Sequence, residues 1–196
     1  MKYQVIASAV NRPGKKDATG AFIPCAQKHV EYLRAQGHSV TLTLLDLVNG
    51  SVNAKDILHV DGLVYYGHGT TRGLQTGHYY GAGMARLARQ LNEKGVKELA
   101  LYACSFMGGQ AADTFMRLWK GDRLFGHTTA GHCAYNPFVA WKTRNADGIV
   151  VDDYDIADVS KTPGKIRKGL RAKLRVGVVH FAELPSKYSD WVRDIV

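Results

Sequence analysis

The sequence predicts an α/β protein, a three-layer sandwich with a central, mostly parallel sheet. Three observations lead there. Strand-like and helix-like segments alternate along the chain, a pattern that pairs strands in parallel through βαβ crossovers. The strand-like segments are short apolar runs, as a sheet covered on both faces requires. The composition, 45% hydrophobic and 22% charged over 196 residues, suits one globular domain spanning residues 1–196 and excludes a disordered chain.

In order, Tyr3–Ala9 is a short apolar run suited to a buried strand. A Gly/Pro/Lys turn at Arg12–Gly20 leads into a helix on which Phe22, Ala26, Val30 and Leu33 recur every three or four residues, with Gly37 as its stop. Ser39–Leu45 alternates Val40, Leu42 and Leu44 with Thr41 and Thr43 and reads as a strand. Asp61–Gly67 is an apolar strand that ends abruptly at His68-Gly69. Thr70–Gly83, with four glycines and two tyrosines, reads as a long flexible loop of the kind that serves a site.

A helical stripe of Met84, Leu87, Ala88 and Leu91 stops at Gly95, and Glu98–Ala103 is the next strand, ending at Cys104. Gly108-Gly109 opens a helix with Ala112, Phe115 and Trp119 on one face, and Arg123–Ala130 is a fifth strand. Phe138–Lys142 and Ile149–Val151 are strand-like pieces around a polar turn. A basic helix at about Lys165–Arg175 carries Ile166, Leu170 and Leu174 on its apolar side, and Val176–Phe181 is a candidate last strand.

Several classes are excluded or set aside. No apolar run approaches the roughly 18 to 20 residues of a membrane span. The N-terminal stretch, broken by Gln4 and Ser8, makes a poor signal peptide and a good first strand. Cys25, Cys104 and Cys133 have neither the density nor the spacing of a disulfide framework, so a reducing cytoplasm is expected. The 26 Lys+Arg against 17 Asp+Glu leave a formal charge of +9, which favours anionic partners without speaking to the fold.

Two strands finish on reactive side chains: Leu63–Gly69 reads L-V-Y-Y-G-H-G and Leu99–Ser105 reads L-A-L-Y-A-C-S. In an open parallel sheet, ligands bind outside the carboxyl ends of the strands. His68 and Cys104 therefore face one crevice in this plan. A cysteine thiolate attacks carbonyl carbon, and an imidazole donates a proton to the leaving amine at neutral pH. Gly67 and Gly69 permit a tight turn and close approach around His68. The helix opened by Gly108-Gly109 points a positive dipole end toward the region of Cys104. Backbone N–H groups of Gly69 and Cys104 are candidates for an oxyanion hole.

These residues resemble the caspase-like cysteine peptidases, the group that includes caspases, legumain, clostripain, gingipains and separase. The shared pattern is a hydrophobic strand ending in His-Gly and a later one ending in Ala-Cys, here L-V-Y-Y-G-H-G and L-A-L-Y-A-C-S. Tyr102 stands before Ala103 where many members carry Gln or Glu. The resemblance implies a caspase-like fold, a His68/Cys104 dyad, Gly69 as the oxyanion glycine and a polypeptide substrate. No metal or organic cofactor is called for by that chemistry.

The resemblance also suggests that the residue before the scissile bond is selected by loops after the catalytic strands. Asp147 and the four aspartates of Gly148–Asp158, Asp152 and Asp153 among them, either line a pocket for Arg or Lys or form a solvated acidic loop; the calcium-loop spacing is missing. Trp141 is a pocket wall or a core residue. His132 and His78 have claims on the substrate side, while His127, His132 and Cys133 lack a standard zinc spacing and a fourth ligand. Lys165, Arg167, Lys168, Arg171 and Arg175 offer a contact for nucleic acid or another anion, against the plainer reading of a helix's solvated outer face. The alternatives to a peptidase are a non-enzymatic anion- or nucleic-acid-binding module on this fold, and a thiol hydrolase or acyltransferase acting on a non-peptide substrate.

Overall fold

A computed structural model describes residues 1–8, 22–45, 54–74, 79–80, 82–127, 139–148 and 150–155. Its main sheet has seven strands: β1 (Lys2–Ser8), β2 (Ser39–Leu45), β3 (Gly62–Tyr66), β7 (Glu98–Tyr102), β8 (Arg123–His127), β9 (Val139–Arg144) and β10 (Val150–Asp155). Their lateral order is β10-β9-β8-β7-β3-β1-β2. The pairings from β2 through β8 are parallel, and β9 and β10 add an antiparallel hairpin at one edge.

The direction of strand succession reverses between β1 and β3, and right-handed crossovers then send the helices to opposite faces. Helix α1 (Phe22–Ala35) covers one face, packing Phe22, Ala26, Val30 and Leu33 on Val5, Ala7, Val64, Tyr66, Tyr102 and Phe125. Helices α2 (Ala82–Glu93) and α3 (Gln110–Leu118) cover the other, against Ile6, Leu63, Tyr65, Leu99, Leu101 and Leu124. The α/β class and the layering expected from the alternating segments are thus present. All five residues of β3 are buried, as a central parallel strand with helices on both faces demands.

Local chemistry explains the boundaries. Pro24 sits in the first turn of α1, where its missing N–H costs nothing. Both α1 and α2 end in a glycine at positive φ, Gly37 at 80° and Gly95 at 74°, with His38 N–H bonded to the Leu33 carbonyl and Val96 N–H to that of Leu91. Helix α3 is closed differently. Arg144, on β9, donates from its guanidinium to the carbonyls of Met116 at 2.6 Å and Trp119 at 2.8 Å, a cation on the negative end of the helix.

Four details go beyond the sequence reading. The segment Thr70–Gly83 is not simply a loop, since β4 (Gly69–Thr70), β5 (Gly73–Leu74) and β6 (Tyr79–Tyr80) form a small antiparallel sheet. Strand β2 is an edge, so only Val40 of its apolar set is buried and Leu44 is 49% exposed. Asp152, Asp153 and Asp155 occupy a strand, at the edge of the sheet among the described residues, rather than an acidic loop, and Asp158 lies outside the described residues. Gln4, which interrupts the first apolar run, is fully buried and satisfied: its amide donates to Thr43 Oγ1 and the Asp56 carbonyl and accepts from Leu58 N–H.

One buried base makes the fold sensitive to acid. His29 on α1 is 1% exposed, hydrogen-bonded through Nδ1 to the Tyr66 hydroxyl at 2.8 Å. Burial pushes its pKa down to about 3. Between that value and the ordinary histidine pKa the unfolded chain takes up a proton that the folded chain refuses, so stability falls as pH falls. Urea unfolding between pH 6 and pH 4 is expected to cost the native protein up to about 1.4 kcal/mol per pH unit more than His29→Phe. Equal pH slopes in the two proteins would show that His29 is not held neutral.

Candidate functional site

Strands β3 and β7 pair directly, with Tyr66 opposite Tyr102. That 36-residue offset is the one that separates His68 from Cys104. Gly67 N–H donates to the Tyr102 carbonyl at 3.2 Å and carries the ladder one step further. His68 and Cys104 each lie two residues beyond the Tyr66–Tyr102 pair, just past the carboxyl ends of adjacent strands that run about 4.8 Å apart. Both are half-buried, and Cys104 is not in a disulfide.

The chain beyond each strand is shaped by close approaches. A Cβ on Gly69 would lie 2.7 Å from Ala103 Cβ and 3.1 Å from the Cys104 carbonyl oxygen, so the backbone after His68 rests on the end of β7. A Cβ on Gly109 would come within 2.9 Å of both the carbonyl oxygen and the Cβ of Thr71, which brings the turn after β4 against the start of α3. Directly after Cys104, Ser105 adopts the left-handed conformation with φ 56° and ψ 7°. It opens a single 3-10 turn at Phe106–Gly108, anchored in the core by fully buried Phe106. Helix α3 therefore starts at Gln110 and not at Gly108-Gly109, with Gly109 extended as its N-cap.

The His68 ring meets the Phe22 ring edge-on, with centroids 5.4 Å apart, at the first residue of α1. Below the pair, the rings of Tyr66 and Tyr102 stack with centroids 4.5 Å apart and planes 4° from parallel. His29 meets both rings edge-on, and buried His127 meets Tyr102 the same way at 5.7 Å. Sequence reasoning passed over Phe22, His29, Tyr66 and Tyr102 as site residues. The signal was the two-residue spacing shared by Tyr66–His68 and Tyr102–Cys104, which marks each tyrosine as the last strand residue before a reactive side chain.

Other expected site residues stand apart from this pair. Trp141 lies within β9, opposite Phe125, and Phe125 is opposite Ala100; its backbone is level with a residue four short of Cys104, roughly 13 Å along a strand. Asp147 is exposed in the turn joining β9 to β10, at the amino ends of the parallel strands and so at the opposite end of the sheet. Asp152 pairs with Lys142 on β9 and Asp153 occupies the bulge that follows. His78, His132, Cys133 and the basic stretch with Lys165, Arg167, Lys168, Arg171 and Arg175 lie outside the described residues. Among the described residues no three His, Cys, Asp or Glu side chains cluster to hold a metal ion, and no helix is long and apolar enough to cross a membrane.

Chemically, a thiol and an imidazole on adjoining strand ends, with the backbone N–H groups of residues 69 and 104 close by, supply a nucleophile, a proton carrier and main-chain donors. No protein-family model matches the chain, and no curated protein matches it.

The contact at Gly69 gives a direct test. Gly69→Ala is expected to destabilise the protein by about 1–3 kcal/mol in urea unfolding, because the methyl group must displace the Ala103–Cys104 backbone. A variant as stable as the parent would mean that the two strand ends are not in contact.

Proposed function

We propose that the chain is a cysteine endopeptidase of the caspase-like type, working through Cys104 and His68. The observation that carries this reading is the shared register: the two residues lie just past the carboxyl ends of adjacent parallel strands, each two residues beyond the last pair. The α1/β3/β7 core and the glycine contacts support it by holding those ends together.

In this reaction the Cys104 thiolate attacks the carbonyl carbon of the scissile peptide. The tetrahedral oxyanion is held by the N–H groups of Gly69 and Cys104. His68, as imidazolium, gives its proton to the departing amine as the C–N bond breaks, leaving an acyl thioester on Cys104. Water then attacks the thioester with His68 as base, and the acid product and the thiol are released. The Cys104 loop is suited to this because Ala103 and Phe106, on either side, are fully buried and leave the half-buried thiol at the surface of a fixed turn.

Selection for a basic residue before the cleaved bond is the accompanying expectation. Three aspartates, Asp152, Asp153 and Asp155, lie on β10, which runs toward the carboxyl ends of the parallel strands.

Peptide acyloxymethyl ketones ending in Arg, Lys, Asp or Asn test both parts. The reading expects covalent labelling at Cys104, fastest with Arg or Lys, and a loss of about 10³-fold or more in kcat/KM for peptide cleavage in Cys104→Ala and in His68→Ala. Full cleavage by Cys104→Ala sinks the proposal. Turnover of small esters or thioesters with no peptide cleaved converts it to a thiol hydrolase or acyltransferase.

A further inference from the structure

The residues next to the dyad are small. Gly67 and Ala103 separate His68 and Cys104 from the last paired rung of the two strands. The last large side chains on the two strands are the rings of Tyr66 and Tyr102, two residues back on each. They are 0% and 3% exposed and lie flat on each other across the β3–β7 seam.

Alternation along the strands sets Tyr66 and Tyr102 on one face, and His68 and Cys104 follow them by two residues just past the strand ends. That face is the one covered by α1: Tyr66 and Tyr102 pack in the α1 core, and the His68 ring reaches Phe22. The stack is held from α1 as well. His29, seven residues and two turns after Phe22, bonds the Tyr66 hydroxyl at 2.8 Å and sets its ring edge-on to both tyrosines. Phe22 and His29 thus form two posts on one helix face, one on the dyad histidine and one on the stack.

We infer that the Tyr66–Tyr102 stack, clamped by His29, is the positioning element that sets the separation of His68 and Cys104. Parallel rings in contact have a fixed interplanar distance, and the strands that carry them are held at that distance two residues before the reactive side chains. The inference rests on the dyad reading above, and its role is to make the thiol and the imidazole act as one unit.

The test reads the coupling directly, without a peptide substrate. The rate at which iodoacetamide alkylates Cys104 is followed by mass spectrometry of the Cys104-containing peptide from pH 5 to pH 9, in the native protein, His68→Ala, Tyr102→Leu, Tyr66→Leu and Tyr102→Phe. Removing the imidazole is expected to change the profile. Tyr102→Leu and Tyr66→Leu, which break the same stack from opposite strands, are expected to move it toward the His68→Ala profile, and Tyr102→Phe, which keeps the ring, to retain the native one. For cleaved peptides the two Leu variants are expected to lose kcat at least tenfold with KM within twofold.

Thermal melts identify which variants are folded, and either Leu variant is sufficient. A folded Leu variant with the native profile overturns the positioning role and leaves the dyad intact. A native profile in His68→Ala shows that Cys104 and His68 are uncoupled; the dyad reading then fails, and the positioning role falls with it.

Discussion

Parallel pairing of β3 with β7 in one register is the constraint on which the rest depends. A slip of a single residue would turn every side chain of one strand to the opposite face and would put His68 opposite Ala103 or Ser105. Both faces resist it. Leu63, Tyr65, Leu99 and Leu101 are committed to the α2/α3 side, and Val64, Tyr66 and Tyr102 to the α1 side. The seam is also closed at each end. Lys97 and Glu98 N–H donate to the Asp61 carbonyl before the strands begin, and Gly67 N–H donates to Tyr102 after β3 ends. At the amino end the Tyr3 ring lies on Gly62, and its hydroxyl donates to Glu98 at 2.8 Å. Burial and the Glu98 carboxylate push the Tyr3 hydroxyl well above the usual phenol range, so this link between β1 and β7 stays neutral and intact.

Much of this order was legible in the chain because it is written at short range. The stripe Phe22, Ala26, Val30, Leu33 is a helix face by spacing alone, and all four residues are buried. The run Leu63–Tyr66 is too apolar for a half-solvated strand and is buried on both faces. What was not legible lies across strands or in pieces too short to have a period. Strands β4, β5 and β6 have two residues each, below the length at which alternation carries information. The Tyr66–Tyr102 stack joins residues 36 apart, and nothing in either tyrosine's local sequence names the other. Arg144 reads locally as a charge beside a turn, but its role as the cap of α3 depends on the hairpin folding back across 25 residues or more.

The charges sort differently once they are placed. Among the described residues strand β10 is an outer strand, and outer strands with unpaired backbone groups invite pairing with other chains. Aspartates at 152, 153 and 155, with the register shift between Asp152 and Tyr154, give this edge charge and a local twist, two features that discourage such pairing. The same residues can therefore serve the sheet whether or not they meet a substrate. Lys142 on the adjacent strand is inside the fold instead: it is 9% exposed, and its ammonium lies 2.7 Å from Asp113 on α3. Positive charge thus helps to dock the hairpin on the helices, through Lys142 on the side of α3 and Arg144 at its end.

The end of β7 has opposing requirements. The polypeptide must leave a strand whose last two residues are buried, present the half-buried Cys104, and return Phe106 to the core within two residues. An extended backbone at Ser105 would carry it on past the sheet edge, and a right-handed turn there would start a helix immediately. The left-handed conformation at φ 56° does neither, at a cost of about 1–2 kcal/mol for a residue with a Cβ. That cost is covered locally. Burying Phe106 completely contributes about 2–3 kcal/mol, and the Gly108 N–H closes the turn on the Ser105 carbonyl at 3.0 Å. The chain before and after Cys104 is therefore held by burial on both sides, while Gly69 closes in from β4 because it has no side chain to keep it away. Rigidity at Cys104 comes from its neighbours along the chain and from the close approach of Gly69.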